Sequence, residues 1–186
     1  KVKDFTPYSR KIIASGANAV ITGNWGSDML CLGKSVIENG FEGPIYTYYA
    51  AGSGITAAFG ESGKDRIRLI SQGGINPIAT DEARATYEAF EAKYPEGNID
   101  QSRIFNVIGM LAQAIEEAGT ADDVVAVATK LEGMEYDSMW GGKIYMRPQD
   151  HQAIQDMHVG VHTNENIDLD YDNSGFGILT ESTSEM

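Results

Sequence analysis

The feature that most limits what this chain can fold into is a change of pattern near residue 74. Before it, apolar runs alternate between helical and strand spacing. After it, three helical segments follow one another with no strand among them. In the first part, Thr6 reads as an N-cap with Pro7 at the first helical position, where a missing N–H costs nothing. Tyr8, Ile12 and Ile13 then recur at roughly helical spacing up to a stop at Gly16. Residues 19–22 (Ala-Val-Ile-Thr) form a short β-branched run, expected as a buried strand. A helix follows over about 27–39 with Met29, Leu32, Val36 and Ile37 on one face, and residues 45–49 and 67–70 read as two more strands. Helix and strand alternating through short connections predict an α/β fold, a Rossmann-like parallel sheet with flanking helices. Right-handed crossovers then place ligand-facing loops at the strands' carboxyl ends, here residues 22–26 and 48–54.

The middle of the chain sets a packing problem. Thr80-Asp81-Glu82 caps a helix to about residue 94, with Tyr87 and Phe90 on its apolar face, and the Pro-Glu-Gly-Asn stretch 95–98 breaks it. A long helix over about 100–118 carries Ile104, Val107, Ile108, Leu111 and Ile115, and Gly119 ends it. Residues 120–123 (Thr-Ala-Asp-Asp) resemble a capping box opened by Thr120, with a helix running to about 131. Residues 143–146 and 157–161 read as strands separated by 147–152, and the acidic stretch after His162 reads as a loose tail. Three strands make a small sheet whose edges need cover, and three apolar helix faces have no sheet of their own. A further layer from outside this chain is expected.

Composition narrows the function classes. At 42% hydrophobic and 22% charged, the chain can build a packed core. Its 14 basic against 27 acidic residues give a net charge of −13, a surface that repels phosphate backbones and anionic headgroups. Nucleic acid and membrane surfaces are therefore excluded as partners. The single cysteine, Cys31, sits between leucines and reads as a small buried hydrophobe rather than a catalytic thiol. No apolar run approaches the roughly 20 residues that span a bilayer.

Several motifs fall short of the chemistry they suggest. Gly52-Ser-Gly-Ile-Thr-Ala57 approximates a dinucleotide-binding turn but lacks the acidic residue some twenty positions on. Asp168-Leu-Asp-Tyr-Asp172 opens like a calcium loop, yet Asn173 and Leu179 stand where Gly and Glu are required. His158 and His162 lie in a predicted strand and do not converge on a metal. His151 beside Asp150 has no nucleophile at a recognisable spacing and reads as a hydrogen-bonding residue of a hinge region. No cofactor and no metal are expected.

Five segments, in this order and spacing, resemble the type I periplasmic binding proteins, specifically the branched-chain amino-acid (Leu/Ile/Val) substrate-binding proteins of ABC transporters. They are Asp4-Phe-Thr-Pro-Tyr8 with Ser15-Gly-Ala17; Thr22-Gly-Asn-Trp-Gly-Ser-Asp28; Tyr46-Thr-Tyr-Tyr-Ala50; Arg147-Pro-Gln-Asp-His-Gln152; and Tyr171-Asp-Asn-Ser-Gly-Phe-Gly177. The resemblance covers only the later half of such proteins, which hold a ligand between two Rossmann-like lobes. It implies that residues 1–74 form a βαβ portion of lobe 2 and 75–133 the helical portion of lobe 1. Residues 134–186 would be a hinge crossing and return to lobe 2 with an acidic tail. The missing N-terminal half would be a partner, and the export signal is expected outside this chain, with a periplasmic or extracytoplasmic location.

The same resemblance implies the site residues. Trp25 takes the place of an aromatic that packs on the ligand, with Asn24 beside it. A Trp buried there carries on the order of 5 kcal/mol of apolar contact at ~25 cal/mol/Å². Tyr49, flanked by Tyr48, stands where amino-acid binders place a carboxylate for the ligand's ammonium. Either the ligand is not an amino acid or another carboxylate serves, Asp28 being the nearest, although a solvated first-turn residue is its simpler reading. Phe105 or Arg103 presents to the cleft from the long helix; being two apart, they do not share a face. The implied function is a solute receptor of an ABC importer, binding an amino acid or an aromatic or aliphatic acid or amide and then docking on a permease. The alternatives are a ligand-sensing regulatory domain of the same fold and an enzyme on a Rossmann-like scaffold.

Overall fold

The computed structural model describes residues 2–73, 75–95, 97, 99, 102–170 and 172–185. Helix α1 (Thr6–Ala14) leads into β1 (Val20–Thr22), α2 (Gly26–Glu38), β2 (Ile45–Thr47), α3 (Ile55–Gly63) and β3 (Ile67–Ser71). The three strands are parallel, with Val20 beside Ile45 and Ile45 beside Ile67. These are the expected βαβ units, with one helix more than the sequence suggests. Helix α3 is short, contains glycine and bends at Gly60, so it shows little helical periodicity. The core lies between sheet and helices, where Met29, Val36, Ile45, Phe59 and Ile67 are fully buried. Gly33 lets α2 approach α3, since a Cβ there would come within 2.8 Å of the Phe59 ring.

Three local readings change. Thr6 lies inside α1; Phe5 is the cap residue, and the Asp4 carboxylate accepts the Thr6 N–H at 2.9 Å. The face α1 buries centres on Ser9, whose hydroxyl meets that of Ser35 at 2.8 Å, while Tyr8 and Ile13 are exposed. Cys31 is exposed rather than buried, because α2 turns Met29, Leu32, Gly33 and Val36 inward and position 31 falls on the other side.

The helical run follows as α4 (Asp81–Lys93), α5 (Ser102–Ala118) and α6 (Val124–Leu131). Thr80 caps α4 as expected, accepting the Ala83 N–H at 3.0 Å. The break at 95–98 and the start at 100 fall partly outside the described residues. Asp123, not Thr120, caps α6, accepting the N–H groups of Val125 and Ala126. These helices do gain a sheet within this chain: β4 (Glu135–Asp137), β5 (Lys143–Arg147) and β6 (Gln152–Gln155) form an antiparallel meander. Met134 and Ile144 pack there with Met110 and Ala114 of α5 and Val127 of α6. The segment 147–152 is the β5–β6 turn. His151 lies in it and meets Glu132 at 3.2 Å, while Arg147 and Asp150 pair across it.

The apolar row of α5 faces the other way, except Ile115, which packs on that cluster. Ile104, Val107, Ile108 and Leu111 are exposed, as are Val124 and Val125 of α6, Val107 at 61% and Ile108 at 62%. Helical periodicity locates an apolar face correctly but does not say what covers it.

The chain then returns to the first sheet as β7 (Met157–Thr163), antiparallel to β3, and β8 (Gly177–Ser184), antiparallel to β7, in the order β1-β2-β3-β7-β8. The acidic stretch expected as a loose tail thus contains the longest strand. Only its beginning, Gly177 and Ile178, is buried; its Thr, Ser and Glu residues sit on an exposed edge, where a polar pattern protects the sheet from further pairing. Glu181 there accepts from Nε and Nη2 of Arg68, at 2.8 and 3.0 Å, while Arg68 Nη1 donates to the Asp65 carbonyl.

Two buried polar side chains tie these parts together. Asn76 is completely buried. Its Oδ1 accepts the N–H groups of Asp168 and Leu169, and its Nδ2 donates to the carbonyls of Leu169 and Ile178. Asn76→Ala strands those backbone groups in the interior and is expected to cost about 3 kcal/mol or more, read as a lower urea midpoint by circular dichroism. His162, also fully buried, donates from Nε2 to the Gly60 carbonyl at 2.8 Å and stacks on Phe176. Its Nδ1 has no partner among the described residues. Burial pushes its pKa below the ordinary 6.5, against the smaller upward pulls of the Gly60 bond and Asp65. The folded state thus favours the neutral ring. The stability this gives is complete above about pH 6.5 and is lost as pH falls below it, toward the folded-state value. His158, shifted the same way by burial, adds to the effect. The loss in urea midpoint between pH 7.5 and 5.5 is expected to shrink in His162→Gln and not to vanish.

Candidate functional site

Each parallel strand ends on a hydroxyl residue that turns the next loop. Thr22 Oγ1 accepts the Asn24 N–H at 3.2 Å and donates to Asn24 Oδ1 at 2.8 Å. Thr47 Oγ1 accepts the Tyr49 N–H at 3.2 Å, and Ser71 Oγ donates to the Gly73 carbonyl at 2.8 Å. Such side-chain turns halt the strands at a common edge and point the succeeding residues outward. Those residues are Trp25, Tyr48 with Tyr49, and Gln72 with Gly73. Together they form one wall of a cleft of about 370 Å³. Tyr87 of α4 and Ser102 and Arg103 of α5 form the opposite side.

A cleft of that volume suits a small solute. Trp25 is 73% exposed, and Tyr48 and Tyr49 also present open ring surface. Arg103 is the one charged side chain among the described lining residues. It offers a planar set of donors that can meet a carboxylate through two parallel hydrogen bonds. The arrangement can sandwich a flat or apolar body against aromatic faces and hold an acid group at the α5 end.

Four of the six residues singled out from the sequence come together here: Trp25, Tyr48, Tyr49 and Arg103. The other two do not line this cleft. Asn24 is engaged by Thr22 and borders a separate groove beside α1 with Phe5, Tyr8 and Leu32. Phe105 turns toward Trp140, edge to face at 5.3 Å, as a position two residues from Arg103 must if Arg103 faces the cleft. Asp28, in the first turn of α2, is not among the lining residues. Sequence reasoning misses Ser71 and Gln72, although the strand-end rule that locates Trp25 applies equally to β3. It reads Tyr87 only as core, and that ring does pack on Trp140 at 5.1 Å.

A mixed sheet whose parallel strands offer their carboxyl ends across a cleft to a helical layer has the fold of the type I periplasmic binding proteins. Residues 1–165 match the family model described as periplasmic binding protein, and the chain belongs to that family. Among curated proteins, Leu/Ile/Val-binding protein homolog 4 of Brucella abortus is 26% identical over 171 residues, covering 82% of this chain. The chain spans only 37% of that relative's length. Among solved structures, the closed leucine-, isoleucine-, valine-, threonine- and alanine-binding protein from Brucella ovis superposes with a TM-score of 0.86 at 21% identity, over all of this chain and 47% of its own. A solute-binding protein of an ABC transporter from Rhodopseudomonas palustris HaA2, in complex with p-hydroxybenzoic acid, gives 0.79 at 17% identity, over all of this chain and 50% of its own.

The two tryptophans offer a direct check on the cleft. Trp140 is only 3% exposed, whereas Trp25 stands open. Acrylamide, a neutral quencher that the acidic surface does not repel, is expected to quench about half of the fluorescence readily. Trp25→Phe should leave only the poorly quenched remainder.

Proposed function

We propose that this chain is the C-terminal half of an extracytoplasmic solute-binding receptor of an ABC importer. The observation that carries the reading is the pairing of three exposed aromatic rings at a parallel-sheet edge with Arg103 on the facing helix, across one small-molecule cleft. The solute has a compact apolar or aromatic body and an acid group. Leu/Ile/Val-binding and p-hydroxybenzoate-bound relatives support both an amino acid and an aromatic acid as candidates. The remaining half of the protein covers the exposed apolar row of α5 and α6 and completes the cleft. Ligand bound between the two lobes favours their closed arrangement, and the closed form docks on the permease.

Titration of the full-length receptor with a panel of amino acids, amides and aromatic acids tests this. Saturable binding of at least one of them is expected. Arg103→Ala, which removes a charge-assisted hydrogen bond worth about 1.5–3 kcal/mol, should weaken it roughly 10- to 100-fold, and Trp25→Ala at least about 10-fold. Failure of the whole panel to bind would refute the receptor reading.

A further inference from the structure

The wall of the cleft between Tyr49 and Leu69 is built by Gly52, Ser53 and Ile55, the residues that open α3. This helix start has no cap of its own. Its cap position is Gly54, in a left-handed conformation at φ 76°, with no side chain to accept the first free N–H groups. The acceptor comes from more than a hundred residues away. Asp172 Oδ1 accepts the Gly54 N–H at 2.8 Å, and Oδ2 accepts the Ala57 N–H at 3.2 Å and the hydroxyl of the buried Thr56 at 2.5 Å. Asp170 shapes the loop that delivers it. Its carboxylate accepts the N–H groups of Asp172 at 3.2 Å and Gly175 at 2.6 Å, and the Ser174 hydroxyl at 3.4 Å. Two of the aspartates that imitate a calcium loop in the sequence, Asp170 and Asp172, are thus spent on backbone N–H and hydroxyl donors, while Asp168 pairs with Arg84 at 3.6 Å.

We infer that Asp172 is a positioning residue of the ligand site: the three hydrogen bonds it accepts hold the Gly52–Ile55 wall of the cleft in place. The consequence for ligand binding rests on the receptor reading above; the effect on the wall does not.

Hydrogen exchange measured by mass spectrometry on wild type, Asp172→Ala and Asp172→Asn tests this. In Asp172→Ala, peptides covering residues 52–58 should exchange at least ten-fold faster, while those of β3 and β7 keep their wild-type rates. Asp172→Asn, which keeps one acceptor, should fall between. Unchanged exchange at 52–58, or an equal rise throughout the chain, would overturn the positioning role.

In the full-length receptor, leucine and 4-hydroxybenzoate serve as probes. Asp172→Ala should weaken whichever binds by ten-fold or more; unaltered affinity would overturn the effect on the ligand. If neither probe binds wild type, the effect on ligand binding falls with the receptor reading for these solutes. The exchange arms still decide the effect on the wall.

Discussion

The architecture turns on the side chain of Asn76. The segment leaving β3 for the helical layer must pass beneath the segment that returns after β7, and both carry backbone polar groups into the interior. A buried amide offers two donors and two acceptor positions at fixed angles, and here four of those contacts are made, to residues 168, 169 and 178. No apolar residue could satisfy the same groups, and a charged one could not both donate and accept. The clasp fixes where β8 begins, alongside the Thr180 N–H bonded to the Asn76 carbonyl. It also anchors the loop from which Asp170 and Asp172 reach back to α3.

The cleft follows from that frame. Hydroxyl side chains end three parallel strands at one edge, and the residues they release are rings and small polar groups. The helical layer brings Tyr87 and Arg103 opposite them. Aromatic rings left open to water are costly to maintain unless something apolar covers them part of the time, and a guanidinium facing them is able to pair with an acid group. The acidic surface elsewhere, at a net charge of −13, makes Arg103 a local exception in an otherwise repulsive field for anions.

The outer face of α5 is the other large apolar feature. Its Ile104, Val107, Ile108 and Leu111 stand exposed while Asn106, Met110 and Ala114 pack inward on the small meander. A helix can bury opposite faces only between two layers, and the described residues supply one of them. This is the same packing shortfall that the helical run announced in the sequence, with its position now assigned to a particular side of two helices.

Much of this was legible in the residue pattern, because periodicity reports local geometry. Alternation of β-branched runs with helical spacing determined the parallel strands, α2 between the first two of them and the helices that follow, but not α3. The strand-end rule, with the family resemblance, led to Trp25, Tyr48 and Tyr49. Local pattern could not show β4, β6 or β8, which are short or polar and exist because a partner strand satisfies their backbone. Nor could it show that Asn24 and Phe105 turn away from the cleft, since that depends on neighbours distant in sequence. Asn76 and Asp172 each look ordinary in the chain, one before a proline and one in an acidic stretch. Their roles come from contacts spanning some 90 to 120 residues, and only the tertiary structure, by bringing unsatisfied backbone groups within reach of those side chains, decided them.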